Sequence, residues 1–102
     1  MLQPSGTVRY TVTAAGTPST TGNCDGGRVV DETVTIGGAA VVDGQTYRVT
    51  VNNFLAGGGD GFSVLTGGTN AVTGPIDLDA FTAYLTERSP VAPPATDRIT
   101  VQ

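Results

Sequence analysis

Short runs of alternating apolar and polar residues, separated by glycine-rich stretches, constrain the fold of this chain more than any other feature. Residues 8–14 place Val, Tyr, Val and Ala on one side and Arg and Thr on the other. Such alternation is typical of a half-buried strand, because successive side chains of a strand point to opposite faces. The same reasoning predicts strands over residues 28–36, 46–53 and 98–101, and very short ones at 41–42 and 62–65.

The predicted strands differ in how regular they are. Residues 46–53 have the strongest pattern, with Tyr47, Val49 and Val51 on one face. In the run over residues 28–36, Glu32 interrupts the apolar face, which indicates edge-like pairing at that point.

Helical spacing occurs in one segment. Leu78, Phe81 and Leu85 recur at the interval of one helix face, which predicts a helix over residues 77–87. Asp77 is placed to cap its amino terminus. The order of strands, one helix and a last strand predicts an α+β domain whose sheet is mainly antiparallel or mixed, with the helix packed on it.

Glycine, threonine, asparagine and aspartate fill the stretches between these elements. Gly37-Gly38 and Asp43-Gly44 predict tight turns, and residues 15–27 and 67–74 predict loops. Cys24 is the one cysteine, so an internal disulfide cannot form. We interpret Cys24 as a small turn residue rather than a reactive thiol, because the chain has no histidine to activate it.

Length and charge exclude several classes of protein. The 102 residues suffice for a single domain over 1–102. The net charge is −4, lysine is absent, and the five arginines are scattered, so a nucleic-acid polymer is not an expected partner. No apolar run approaches the roughly 20 residues of a membrane helix, and the amino terminus has no signal-peptide pattern.

The absence of histidine excludes most catalytic sites. Neither a Ser-His-Asp triad, a Cys-His pair nor a histidine-ligated zinc site can be assembled, although a carboxylate-only metal site stays open. Asp77 and Asp79 form a carboxylate pair, but compensation of the helix dipole explains it more simply than acid–base catalysis. We therefore expect no catalytic residues in this chain.

The segment from Tyr47 to Phe62 has the most unusual composition. A predicted strand runs into Phe54, then into three consecutive glycines, Asp60 and Gly61. Glycines allow a ligand to approach the backbone closely, an aromatic ring can stack on a base, and an ionised carboxylate can accept hydrogen bonds from paired ribose hydroxyls. The alternative is that the aromatic rings are core residues and the glycines only turn the chain.

This segment resembles the signature of the carboxy-terminal, nucleoside-recognition domain of the 5′-nucleotidase family. The family pattern is Asn-x-Phe-Leu-Ala-x-Gly-Gly-Asp-Gly-aromatic, and the matching residues are Asn52, Phe54, Leu55, Ala56, Gly58, Gly59, Asp60, Gly61 and Phe62. The opening residues 2–6, residues 28–30, the helix, residues 89–91 and the closing residues 97–99 are similar to the family in the same order. The resemblance therefore covers nearly the whole chain, which corresponds to the later half of that domain.

The resemblance implies a function for individual residues. Phe54 is expected to stack on the nucleobase, Asp60 to bind the ribose hydroxyls, and Gly58 and Gly59 to shape the substrate-binding loop. Family members hydrolyse nucleoside phosphates with a separate metallophosphoesterase domain that holds two divalent metal ions, usually in exported or surface enzymes, so an extracellular, cell-surface or periplasmic location is implied.

The chain also departs from the family. It has no match to the dimetal domain, and it begins after the segment that supplies a second aromatic and the substrate-contacting arginines. We therefore expect the chain alone to be inactive and to bind a nucleoside monophosphate or related nucleotide weakly. Its other expected partners are the amino-terminal domains of the parent enzyme. Apolar surface left by the missing half-domain makes self-association a further expectation.

Two other functions are weighed against this one. Residues 57–62 resemble a glycine-aspartate calcium-binding repeat, but such repeats stack in series and one copy is present. A β-rich surface or adhesion module without a small ligand would also fit a chain rich in glycine, threonine and valine.

Overall fold

The computed structural model describes residues 2–15 and 28–102, which form two compact units. The first unit comprises Met1–Val49 and Ala95–Gln102, and the second comprises Thr50–Pro94. Cys24 and nearly all of the loop predicted at 15–27 lie outside the described residues.

The first unit is built on a mixed four-stranded sheet. The strands are β1 (Val8–Val12), β2 (Val29–Ile36), β3 (Ala39–Ala40) and β4 (Ile99–Val101). Their order in the sheet is β3-β2-β1-β4, where β1 pairs antiparallel with β2 and parallel with β4, and β2 pairs antiparallel with β3. The mixed sheet and three of its strands confirm the sequence-based prediction.

A hairpin joins β2 to β3. Gly37 and Gly38 have φ values of 60° and 84°, a left-handed conformation that glycine adopts without steric cost. The turn is so tight that the chain pairs again at Ala39–Ala40. The short strand predicted at residues 41–42 was therefore wrong in position by two residues.

The pairing of β1 with β2 is interrupted by a bulge. Arg9 lies opposite Thr35 and Thr11 opposite Val30, so Tyr10 alone faces four residues of β2. The Thr33 hydroxyl fills the gap in the ladder, since it accepts a hydrogen bond from the Thr11 amide at 2.8 Å and donates one to the Val30 carbonyl at 2.6 Å. The irregular pattern around Glu32 thus marks a bulge within a paired strand.

Two arginines fix the segment that precedes β1. Arg98 donates to the Pro4 carbonyl at 2.9 Å, and Arg9 donates to the Gly6 carbonyl at 2.7 Å. Arg9 also forms an exposed ion pair with Asp97 at 3.4 Å. Because exposed pairs contribute little to stability, the carbonyl contacts are the more important restraint on residues 4–6.

Little apolar surface is buried. Of the described residues, Val12 is the one buried hydrophobic side chain, at 8% exposure. The other residues of β1 are half-buried. Hydrogen bonding between the strands is therefore a large part of what holds the first unit together.

The second unit contains helices and turns. Its elements are α1 (Asn53–Ala56), 3-10 turns at Gly59–Gly61 and Ser63–Gly67, and α2 (Asp77–Arg88). The helix predicted at residues 77–87 is confirmed, and with the mixed sheet it gives the predicted α+β class. The packing of this helix on the sheet stays a prediction, because sheet and helix belong to different units.

The strands predicted at 46–53 and 62–65 are wrong. In the described chain residues 45–52 carry neither helix nor strand, and a 3-10 turn occupies 63–67. The Tyr47 hydroxyl accepts a hydrogen bond from the Val42 amide at 2.9 Å and donates to the Gln45 side chain at 3.1 Å. An alternating sequence forms a strand only where a partner strand pairs with it. Here the Tyr47 hydroxyl is hydrogen-bonded to residues two and five positions earlier in the chain, and residues 45–52 pair with no described strand.

The cap of helix α2 lies one residue before Asp77, the residue predicted to cap it. Ile76 occupies the cap position, and Asp77 is the first helical residue, whose Oδ1 accepts from the Leu78 amide at 2.8 Å. Acidic residues lie in its first turn and Arg88 in its last, which complements the helix dipole. No described helix has the length and apolar character needed to cross a membrane.

The bulge generates a stability prediction. Thr33→Val keeps the side-chain shape but removes the hydroxyl, which leaves the Thr11 amide without its acceptor. We expect a loss of about 1–2 kcal/mol in unfolding free energy, measured by urea denaturation of the chain. Thr35→Val is the control, because the Thr35 hydroxyl has no hydrogen bond with any described residue and its backbone pairs regularly; an equal loss in both variants would contradict the bridging role.

Candidate functional site

The residues that precede the glycine run form a single helical turn with a defined cap. The Asn52 side chain accepts a hydrogen bond from the Leu55 amide at 2.9 Å. The Ala56 amide donates to the Asn52 carbonyl and the Gly57 amide to the Asn53 carbonyl, both at 3.0 Å. Such capping satisfies amides that would otherwise be unpaired at a helix start. Phe54 therefore projects from a hydrogen-bonded turn and not from the end of a strand.

The glycines that follow have different conformations. Gly58 and Gly61 are left-handed, with φ of 85° and 79°. Gly58 is also crowded, because a Cβ added there would lie 3.1 Å from Cγ2 of Thr66. Thr66 in turn donates from its hydroxyl to the Ser63 carbonyl at 2.7 Å, which fixes that methyl group. The backbone path from α1 into the loop thus requires glycine at these two positions.

The ring of Phe54 lies at the surface and against the loop backbone. Its side chain is 58% exposed. A Cβ added to Gly59 would lie 2.5 Å from Cε1, 2.6 Å from Cζ and 2.7 Å from Cδ1 of that ring. Phe62, by contrast, is half-buried. The alternative that the aromatic rings are core residues therefore fits Phe62 better than Phe54, whose ring is accessible to a ligand.

Asp60 has an unusual backbone for a residue with a side chain. Its φ and ψ are 54° and 25°, inside the 3-10 turn of the loop. This left-handed conformation costs about 1–2 kcal/mol for an ordinary residue and less for aspartate. The side chain is exposed, and within residues 2–15 and 28–102 nothing donates a hydrogen bond to it. Its carboxylate is therefore free to accept hydrogen bonds from a ligand.

The loop surface is open. Two shallow depressions of about 350 and 370 Å³ occur in the described chain, the first lined by Asp77, Leu78 and Phe81 and the second by Gly6, Thr7, Arg9, Gly37 and Gly38. Neither is lined by Phe54 or Asp60. Phe54 and Asp60 are both exposed, so a ligand can reach the ring and the carboxylate directly from solvent.

The described residues contain no group of three or more His, Cys, Asp or Glu side chains that could hold a metal ion.

Sequence reasoning missed three features of this site. These are the helical form of residues 53–56, the cap formed by Asn52, and the contact between Gly59 and Phe54. The cap had a local signal, because asparagine is a preferred cap residue and Asn52 lies two residues before the apolar run that begins at Phe54. The ring contact had none, since it depends on how the chain folds back after Gly58.

The sequence of the site matches a known family. The model of the 5′-nucleotidase carboxy-terminal domain matches residues 1–67, which include the whole of the segment from Asn52 to Phe62. The chain therefore belongs to the 5′-nucleotidase carboxy-terminal domain family. The resemblance in the sequence extends over nearly the whole chain, whereas the family match ends at residue 67, so α2 and β4 lie beyond the matched residues.

Individual relatives give the same assignment. The chain is 50% identical over 58 residues to a 5′-nucleotidase-related protein of Glossina morsitans morsitans, which is 56% of this chain and 10% of that protein. It is 48% identical over 48 residues to an apyrase of Anopheles gambiae, 47% of this chain and 8% of the relative. It is 41% identical over 59 residues to a 5′-nucleotidase of Vibrio vulnificus, 57% of this chain and 11% of the relative.

The chain thus spans about a tenth of the length of these relatives. No solved structure matches it significantly.

The loop geometry generates a prediction on local stability. Gly58→Ala forces a side chain into a left-handed conformation and against Thr66, so we expect local opening to become easier by about 1–2 kcal/mol. The measurement is amide hydrogen exchange at Ala56, which should accelerate about 5- to 30-fold.

Gly57→Ala is the matched control for that substitution. Gly57 has a φ of −80°, and a Cβ there would meet the Asn53 and Phe54 carbonyls at an ordinary 3.5 and 3.6 Å. Exchange at Ala56 should stay unchanged or become slower in this variant. Equal acceleration in the two variants would show that the left-handed conformation is not what stabilises the turn.

Proposed function

We propose that this chain is the nucleoside-recognition part of a 5′-nucleotidase-type phosphohydrolase. The ring of Phe54 stacks on the base, the carboxylate of Asp60 accepts hydrogen bonds from the ribose hydroxyls, and Gly58 and Gly59 shape the short loop that carries both groups. The observation that carries the proposal is the exposure of Phe54 on a capped, hydrogen-bonded turn six residues before an unpartnered carboxylate.

The backbone strain at Asp60 supports the same function. A left-handed aspartate next to the left-handed Gly61 is less stable than glycine would be at that position. Residues retained in such conformations concentrate at functional sites, where the side chain has a use that offsets its cost. A carboxylate suits ribose because it accepts two hydrogen bonds and donates none.

Phosphate hydrolysis belongs, in this proposal, to a separate domain of the parent enzyme. That domain supplies two divalent metal ions, which activate water and stabilise the charge of the transferring phosphoryl group. This chain contributes binding and orientation of the nucleoside, and alone it hydrolyses nothing. The names of the relatives support a substrate that is a nucleotide, and a location outside the cytoplasm, extracellular, cell-surface or periplasmic, is part of the proposal.

Base stacking is tested by Phe54→Ala. The chain is titrated with adenosine while the amide shifts of residues 54–61 are followed by NMR. Loss of stacking should weaken binding about 5- to 150-fold, since stacking contributes roughly 1–3 kcal/mol per base. Phe81→Ala is the matched control, because Phe81 is equally exposed, at 59%, but lies on α2; equal losses in both variants, or a wild-type chain that shows no shifts, would overturn the proposal.

The ribose contact is tested by Asp60→Asn with two ligands. Asparagine tolerates the left-handed conformation but removes the negative charge, so adenosine binding should weaken about tenfold, the lower end for hydrogen bonds to charged groups. The wild-type chain should prefer adenosine to 2′-deoxyadenosine, and the variant should lose this preference. Retention of the preference in Asp60→Asn would assign ribose recognition to another residue.

A further inference from the structure

The glycine run contains one residue whose lack of a side chain the backbone does not explain. Gly58 and Gly61 have left-handed backbone angles, but Gly59 does not. Within the 3-10 turn Gly59–Gly61, non-helical angles are recorded at Asp60 and not at Gly59. Any residue could adopt the backbone conformation of Gly59. What excludes a side chain at position 59 is therefore its surroundings.

Those surroundings are the ring of Phe54. The three closest atoms to a Cβ built on Gly59 are ring carbons, at 2.5, 2.6 and 2.7 Å, and real Cβ atoms essentially never approach so closely. The three carbons are consecutive in the ring, and a point beyond the ring edge cannot be nearly equidistant from all three. The Cα–Cβ direction of Gly59 thus meets one face of the ring.

We propose that Gly59 is a positioning residue, which backs one face of the Phe54 ring so that the base stacks on the opposite face. This inference rests on the proposed function, because it assigns Gly59 a role only through Phe54. The glycine lets the ring settle onto the loop backbone, while the Asn52 cap holds the turn from which the ring projects. A ring held on one side keeps fewer rotamers, so less conformational entropy is lost when a base binds.

The contact between the Phe54 ring and Gly59 is tested without any ligand. Protons above an aromatic face are shielded, so the Gly59 Hα resonances of the wild-type chain should lie upfield of their positions in Phe54→Leu, which keeps the apolar side chain but removes the ring. Identical Gly59 Hα shifts in the two chains would overturn the inference. This measurement needs no substitution at position 59 and therefore remains decisive if such a variant does not fold.

The effect on binding is tested by Gly59→Ala in an adenosine titration. The added methyl group displaces the ring, so binding should weaken at least about fivefold, the lower bound for loss of stacking. Gly57→Ala is the matched control, since it is the same chemical change in the same turn with ordinary contacts, and its affinity should stay within about twofold of wild type. Equal weakening in both glycine variants would mean a general structural role and overturn the inference.

A double-variant cycle separates this inference from the proposed function. If Gly59 acts through Phe54, the affinity of Phe54→Leu/Gly59→Ala should equal that of Phe54→Leu alone. Weakening in Phe54→Leu with wild-type affinity in Gly59→Ala would overturn the positioning role and leave the proposed function intact. Wild-type affinity in Phe54→Leu would overturn the proposed function itself.

Discussion

The close approach of an aromatic ring to bare backbone is the interaction on which the candidate site depends. Phe54 can face solvent and still be ordered because its ring rests on Gly59 and its turn is closed by Asn52. An exposed phenylalanine on an unrestrained loop would sample several rotamers, and binding would have to select one of them. Here the backbone restricts that choice before a ligand arrives.

The loop after Phe54 combines two uses of glycine with one strained residue. Gly58 and Gly61 allow left-handed backbone angles, whereas Gly59 leaves room for the Phe54 ring. Asp60 keeps a carboxylate where glycine would be the more stable choice. Stability and function are therefore opposed within four residues, which is a common property of binding loops.

Periodicity predicted the parts of the structure that are long and regular. Helix 77–87 and the strands at 8–14 and 28–36 were predicted because three or more residues repeat on one face, whereas the short strand at 98–101 has two apolar residues on one face. The alternating run at 46–53 failed because side-chain alternation does not supply a partner strand, and pairing is what makes a strand.

The family of the chain was predicted better than the shape of the candidate site. The family motif identified Phe54 and Asp60 from the sequence, and the match over residues 1–67 confirms the family. The motif did not predict that residues 53–56 form a helical turn, because one turn is too short to show a period. Nor did it predict the contact of Phe54 with Gly59, since that contact depends on the left-handed backbone at Gly58, which a sequence pattern does not reveal.

The parallel pairing of β1 with β4 has a consequence for how this domain can vary. After β3 the chain leaves the sheet and returns to it at Ile99, which pairs with Tyr10. Residues 50–94, which carry the candidate site, therefore form a long connection between two strands of one sheet. Closing such a connection depends only weakly on its length, at about 0.6 kcal/mol for each doubling. Insertions and deletions between residues 50 and 94 should therefore reshape the candidate site at little cost to the stability of the sheet.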